Sequence, residues 1–151
     1  MADVPGVTLT HVRPDPAGDP VDALEMLPVE RTGEEPFVAG PAIWAGPYVG
    51  HFGHMVAEGI HRLWAARVFP HLAEAMIVFQ VDAHIDTRIP DWFIDVLGLC
   101  GVPPERAMFI NRSTRFEALH VPAQGRMLGG RVLMADYLDL FPLAPVADRP
   151  D

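Results

Sequence analysis

Residues 48–64, which read YVGHFGHMVAEGIHRLW, form the one stretch where glycines, histidines, a carboxylate and an apolar pattern occur together. If a helix begins at Gly53, its apolar residues fall within one narrow arc at about 100° per residue: Val56, Ile60 and Leu63. The polar residues of the same helix fall on the opposite side: His54, Glu58 and His61. The pattern therefore predicts a helix with one face in the core and the other presenting polar groups.

Gly50 and Gly53 lie just before and at the predicted start of this helix. A turn from a strand into a helix needs unusual backbone angles or close approach by a ligand, and glycine permits both. The spacing differs from that of a phosphate-binding glycine loop. The sequence predicts a turn suited to a binding site, without a phosphate fingerprint.

Outward from this stretch, short apolar runs alternate with helical segments. Strands are predicted at residues 37–44, 75–81, 107–111 and 117–121, and a second helix at residues 91–98. Runs of this kind are typical of strands that are covered on both faces. The alternation predicts an α/β fold, a Rossmann-like, mostly parallel sheet with helices on both faces.

The 151 residues fit one domain of ordinary size. Prolines, glycines and acidic residues are frequent before residue 37, so residues 1–36 are predicted to form an extended arm with a short strand at residues 7–12. The compact domain is predicted at residues 37–140, ending in a short helix at residues 131–140. Residues 141–151 are predicted to fray.

The formal net charge of −9 disfavours nucleic acid or an anionic membrane surface as the main partner, because the 11 basic residues are scattered along the chain. No run approaches the roughly 18 apolar residues of a membrane span. The N-terminus has no signal-like region, so we expect a cytoplasmic location. The lone Cys100 excludes an internal disulfide and is expected to be a small buried residue.

The same stretch also resembles a known family. Gly53-His54, Glu58 and Arg62-Leu63-Trp64 resemble the GHW…E…PRLW block of family 61 glycosyltransferases, the capsular-polysaccharide biosynthesis type. Met55 replaces the aromatic residue of that block and His61 replaces its proline. Shorter matching segments extend the resemblance over residues 42–124: 76–80, 92–98, 102–106 and 116–122.

The resemblance implies the N-terminal, acceptor-side half of a GT-B glycosyltransferase. Such an enzyme transfers a sugar from a nucleotide-sugar to a glycan acceptor with inversion and without a metal or other cofactor. It implies a role in polysaccharide biosynthesis, with the donor half supplied by another chain or by a homodimer. The isolated chain is then expected to fold but to show no transfer.

His54 and Glu58 are the predicted catalytic residues. They follow a strand, and open α/β sheets bind ligands at the carboxyl ends of strands. A helix dipole disfavours an imidazolium at the helix start, so His54 is expected to be neutral and able to accept a proton. Inverting transfer needs a base at the acceptor hydroxyl, and either His54 or Glu58 can serve.

Six further residues are predicted to bind substrate: His51, Gly53, Arg62, His84, Asn111 and Arg112. His84 and Asn111 each follow a predicted strand, as the catalytic pair does. Alternatives stay open for two of the six. Arg62 fits a salt bridge at the helix surface equally well, and His84 with Asp86 fits a solvated loop.

Two other functions stay open. His54, Glu58 and His61 are metal-ligand types that invite a small metal-dependent hydrolase, although their spacing differs from the His-Glu-x-x-His zinc helix. The second alternative is a non-catalytic module that binds carbohydrate or a partner protein. Trp64 fits this alternative as a sugar platform, or it is simply a packing residue.

Overall fold

The computed structural model describes residues 11–14, 20–23, 33–81 and 89–125. Its strands in chain order are β1 His11–Pro14, β2 Pro20–Ala23, β3 Phe37–Tyr48, β4 Met76–Val81, β5 Ala107–Ile110 and β6 Arg115–His120. Strands β1 and β2 pair antiparallel as a separate ribbon. The other described strands form one sheet in the order β5-β4-β3-β6, and each neighbouring pair is parallel. The protein therefore has a Rossmann-like α/β fold, as the sequence predicts.

Helical segments follow β3 and β4 in the chain. They are α1 Phe52–His54, a π-helical turn at Met55–Gly59, α2 Trp64–Val68, a 3₁₀ turn at Pro70–Leu72, α3 Asp91–Leu99 and a 3₁₀ turn at Pro104–Arg106. None of these described helices has the length and apolar character needed to cross a bilayer.

The two faces of the sheet bury different side chains, because successive strand residues point to opposite sides. On one face, strand residues pack against the helices, and the fully buried members include Ile43, Ile77, Phe79, Met55, Leu63, Phe93 and Leu97. On the other face, the buried residues are Ala42, Trp44 and Val78. The partly buried side chains around them come from the edge strands as well as from β4, and include Met108, Ile110, Phe116 and Leu119.

Strand β3 bends near its start. Gly40 has a φ of 78°, which favours glycine, and the pairing of β3 with β6 shifts between Val38 and Pro41. The bend matters because β3 is the inner strand that pairs with both β4 and β6.

The link between β5 and β6 shows why β3 must bend. Ile110, at the end of β5, is level with Pro47 of β3, whereas Arg115, at the start of β6, is level with Phe37. Ten positions of straight strand span about 33 Å, but residues 111–114 allow only about 18 Å. Phe37 and Ile110 nevertheless line one cleft, so β3 does not run straight between Phe37 and Pro47.

Helix α3 begins and ends as its sequence predicts. Pro90 is extended and Asp91 occupies the first turn. At the other end Gly101 has a φ of 77°, its N–H donates to the Gly98 carbonyl at 2.9 Å, and the Val102 N–H donates to the Leu97 carbonyl at 2.9 Å. This pair of bonds is the Schellman motif, which satisfies carbonyls that the helix end leaves free.

The predicted strands of the sheet are confirmed with boundaries shifted by one or two residues, except that β3 runs four residues past its predicted end at residue 44. The predicted helix at residues 91–98 is confirmed as α3. Strand β1 overlaps the last two residues of the strand predicted at residues 7–12. The helix predicted at residues 131–140, the tail, and residues 1–10, 15–19 and 24–32 of the arm lie outside the described residues.

Candidate functional site

The candidate site begins where the central strand β3 ends. Gly50 has a φ of 68°, so the predicted unusual turn is confirmed at this glycine. His51 is extended, and its carbonyl accepts the first helical hydrogen bond, from the Met55 N–H at 3.0 Å. The turn thus places His51 and the start of α1 at the carboxyl end of the sheet, where ligands bind in open α/β folds.

The single regular helix predicted from Gly53 is wrong. The Ile60 N–H donates to the Met55 carbonyl, five residues back, at 3.2 Å, and the Leu63 N–H donates to the Ile60 carbonyl, three residues back, at 3.1 Å. The chain therefore widens into a π-helical turn and then tightens before α2. Turns of this kind are frequent at functional sites, and this irregularity also removes the long helix dipole that the prediction invoked for His54.

The predicted faces of this segment are only partly confirmed: Leu63 is buried and Ile60 packs against the core as predicted, but three other residues differ. Val56, predicted to pack, is 37% exposed, whereas Glu58 and His61, predicted to face solvent, are both buried. The buried face starts one residue earlier, at Met55, and includes Gly59, which has no side chain to signal burial in the sequence. A Cβ at position 59 would overlap with the end of the Met55 side chain.

His54 and Glu58 form the central pair of the site. His54 Nδ1 lies 3.4 Å from Glu58 Oε2, longer than the roughly 2.7–3.2 Å of a typical hydrogen bond. The His54 side chain is 33% exposed, whereas that of Glu58 is 3% exposed. This contact is compatible with a neutral imidazole whose Nδ1–H donates to an ionised Glu58 carboxylate and whose Nε2 lone pair is free.

Arg62 lies behind this pair, one turn beyond Glu58. It is 5% exposed, and its Nη2 donates to Gln124 Oε1 at 3.3 Å. Burial lowers the pKa of the Arg62 guanidinium, and the negative charge of Glu58 opposes this shift. The surface salt bridge that the sequence left open is therefore wrong, because the two charges interact inside the protein. Contact between Arg62 and a substrate stays a prediction.

Residues 123–125 cover Arg62, although they do not belong to the helical region. Besides the Gln124 bond, the Trp64 Nε1–H donates to the Ala123 carbonyl at 2.9 Å, and the Gly125 N–H donates to the His61 carbonyl at 2.9 Å. These bonds join residues about 60 positions apart in the chain. They explain why His61 and Arg62 are buried although a polar side chain normally stays in water.

His51 and Gly53 lie at the exposed mouth of the site. The His51 and His54 rings meet edge to face with centroids 5.2 Å apart. A Cβ at Gly53 would lie 3.3 Å from His51 Cε1, so the glycine leaves room for the ring. The structure thus brings together four predicted site residues, namely His51, Gly53, His54 and Glu58, with Arg62 behind them.

Two aromatic residues at the same edge of the sheet were not among the predicted site residues. Phe52 is exposed beside His51, and its ring meets that of Trp92, in the first turn of α3, with centroids 5.2 Å apart. The signal available in the sequence was position, because Phe52 and Trp92 both follow the strand ends that precede their helices. An exposed ring at the mouth of a site offers a flat apolar surface to a ligand.

Asn111 and Arg112 are exposed and line another cleft, of about 440 Å³, together with Phe37 and Val38. Their side chains thus border the bent start of β3, and no described contact joins them to the His54–Glu58 pair. His84 and Asp86 lie outside the described residues. The substrate roles of His84, Asn111 and Arg112 stay predictions.

A third region is a cleft of about 300 Å³ beyond the carboxyl end of β6. We call it the ring cleft, because the rings of four of its lining residues follow one another: Trp64, Phe69, His71 and His120. Neighbouring ring centroids lie 5.7–5.9 Å apart. The remaining lining residues are small or aliphatic: Ala65, Leu72, Val121 and Pro122.

In the ranges that the structure describes, no three His, Cys, Asp or Glu side chains are grouped as metal ligands. The predicted set of His54, Glu58 and His61 does not share an accessible face, because Glu58 and His61 are both buried. The absence of a bound metal or cofactor in the function stays a prediction.

Comparison with known proteins adds no relative. No protein-family model matches the chain, and no curated protein or solved structure matches it. The glycosyltransferase resemblance therefore rests on the residues of the 48–64 stretch and the shorter segments that follow it.

Proposed function

We propose that this chain forms the acceptor side of an inverting glycosyltransferase, with His54 as the general base and Glu58 as the residue that orients it. The observation that carries the proposal is the His54–Glu58 pair, 3.4 Å apart at the carboxyl end of the central strand. His54 is partly exposed and Glu58 is buried. The sequence left open which of the two residues is the base. The arrangement supports His54 as the base and Glu58 as the residue that orients it.

In the proposed reaction, Nε2 of His54 takes the proton of an acceptor hydroxyl as its oxygen attacks the anomeric carbon of the donor sugar. The new glycosidic bond forms as the bond to the nucleotide diphosphate breaks on the opposite side, so the configuration inverts. Glu58 holds the Nδ1 hydrogen and stabilises the imidazolium that forms. The Nδ1–Oε2 distance is expected to shorten when an acceptor is bound.

Charge and shape around His54 support an acceptor with a ring and hydroxyl groups. Phe52 and Trp92 present ring surfaces beside the histidines, and the guanidinium of Arg62 is buried behind Glu58. The leaving diphosphate needs cations or helix N-termini around it, so the proposal assigns donor binding to a second domain or subunit, as the resemblance implies. A glycan acceptor, polysaccharide biosynthesis and a cytoplasmic location belong to the same proposal.

The first experiment observes His54 directly, by ¹H–¹⁵N NMR of the imidazole rings as glycan acceptors are added to the full chain. We expect an acceptor that binds to perturb the His54 ring signals most strongly. In any preparation that transfers sugar from a nucleotide-sugar, His54→Gln should lower the rate by about 10²–10⁴, because it removes the base.

Glu58→Gln tests the orienting role, because it keeps the shape of the side chain but removes its charge. We expect the mixture of Nδ1-H and Nε2-H tautomers at His54 to change and transfer to slow. Asp95→Asn, the same exchange at an exposed position of α3, is the control and should change neither. Absence of acceptor binding at His54, or transfer that survives His54→Gln, would contradict the proposal.

A further inference from the structure

The ring cleft is separate from the His54–Glu58 pair, since none of its lining residues belongs to that site. It lies beyond the carboxyl end of β6, where His120 ends the strand. Its walls are also held in place: the Trp64 indole donates to the Ala123 carbonyl, and Leu72 is buried in the core. The cleft is therefore a preformed concave surface, as ligand sites usually are.

The chemistry of the walls favours an uncharged ligand. Among the described residues that line the cleft there is no Arg, Asp or Glu, and the chain contains no lysine. A phosphate or carboxylate group would need such a cation to replace its water. The overall charge of −9 also repels anions.

The same walls combine apolar ring faces with hydrogen-bonding groups. Trp64 and Phe69 present aromatic surface at one side, and Phe69 is 41% exposed. His71 and His120 meet at the other side with centroids 5.7 Å apart. A neutral imidazole has one donor and one acceptor nitrogen, which matches a hydroxyl group, itself both donor and acceptor.

We propose that the ring cleft is a binding site for an uncharged sugar ring, which places its apolar C–H face on Trp64 and Phe69 and its hydroxyl groups at His71 and His120. The ligand class follows from two features of the described lining: aromatic surface lies beside two imidazoles, and there is no Arg, Asp or Glu. The site does not depend on the proposed transfer reaction, because no bond is made or broken in it. Such a site could hold a glycan that extends from an active site, or a glycan bound by a non-catalytic module.

The test is an NMR titration of the full chain with methyl glycosides of glucose, galactose and mannose, with N-acetylglucosamine, and with glucuronic acid and glucose 6-phosphate as charged probes. We expect at least one neutral sugar to shift the Trp64 indole signal and the backbone signals of residues 120–122. The charged probes should bind more weakly. No shift with any neutral sugar, or tighter binding of a charged probe, overturns the proposal.

Phe69→Ala and His71→Ala probe the two sides of the cleft. Both side chains are exposed, so the fold should persist, and circular dichroism checks this. We expect each variant to weaken binding roughly five- to tenfold. Phe37→Ala, which removes an exposed phenylalanine from the other cleft, is the matched control and should leave affinity unchanged.

A pair of histidines can also bind a metal ion. A Zn²⁺ titration tests for this alternative. If Zn²⁺ binds at His71 and His120 and no neutral sugar does, the cleft is a metal site and the proposal is wrong. The two proposals can fail independently. Changes in the His54 ring signals on acceptor binding test the proposed function, whereas weaker sugar binding by Phe69→Ala tests the ring cleft.

Discussion

Two helical regions follow neighbouring parallel strands, and they differ in how they are stabilised. Helix α3 is regular, buries Phe93 and Leu97, and ends in a Schellman motif. The segment at residues 52–68 follows β3 but changes from α-helix to π-helical turn and back, and it buries Glu58 and Arg62. The regular helix supports the sheet through apolar packing, whereas the irregular segment buries charged groups that the sequence predicted at the surface.

The irregular segment buries charged side chains, and their burial lowers the stability of the fold. Buried charges lose their hydration, and only the neighbouring countercharge and hydrogen bonds compensate. Within the described residues, Nε and Nη1 of Arg62 make no hydrogen bond. The proposed role of Glu58 needs its carboxylate to be held beside His54, and the burial of Glu58 agrees with this.

The largest expected effect comes from breaking this charge pair. Glu58→Ala should destabilise the protein by about 3–5 kcal/mol, because it leaves the Arg62 guanidinium buried without its neighbouring carboxylate. Asp95→Ala on α3 removes an exposed carboxylate and should change stability by less than about 0.5 kcal/mol. Urea unfolding followed by circular dichroism measures both. Equal, small effects would mean that the two regions do not differ in this way.

Each of the two regions contains a glycine that differs in its surroundings. Gly59→Ala should destabilise by about 1–3 kcal/mol, because the new methyl group overlaps with the buried Met55 side chain. Gly98→Ala on α3 should stabilise by about 0.4–1 kcal/mol, because nothing lies near the added methyl group and the unfolded chain loses freedom.

Thermal unfolding of the two alanine variants gives the signs directly. The double variant Gly59→Ala with Met55→Ala should cost less than the sum of its single changes, since the second removes the overlap. Additive costs would show that the overlap with Met55 is not the cause.

The last expected effect is absent at neutral pH and concerns the end of α3. Burial raises the pKa of the Cys100 thiol to about 11, and the Arg67 charge opposes the shift. The folded state therefore keeps its proton where the unfolded thiol, with a pKa near 9, releases it. Stability from this group is present below pH 9 and falls between pH 9 and 11, by up to about 1.4 kcal/mol per pH unit.

Cys100→Ala isolates this contribution from other alkaline groups. Tyr48 contributes a slope of the same sign, because burial raises the pKa of its phenol too, and the chain has no lysine that titrates there. Urea unfolding between pH 8 and 11 should show a steeper loss of stability for the wild-type chain than for Cys100→Ala. Parallel curves would contradict the raised thiol pKa.

The elements that the sequence predicted well share a local cause. The strands β4 and β5 are continuous apolar runs, and α3 carries proline and acid at its start and Gly101 at its end, so neighbouring residues decide them. The turn at Gly50 was predictable for the same reason, since its positive φ is a local requirement. The α/β class and the placement of His51 and His54 at the carboxyl end of β3 follow from this order.

The amino-acid sequence alone thus determined the order of strands and helices, the end of α3 and the edge of the sheet at which His54 lies, because each depends on residues close together in the chain. Which side of the 52–68 segment is buried depends on contacts that form only in the folded chain. Burial of Glu58 and Arg62 depends on residues 123–125, about 60 positions away, whose bonds to Arg62, Trp64 and His61 form only when β6 lies beside β3. Gly59 carries no side chain, so the pattern of apolar residues had nothing to mark the face on which Met55 packs.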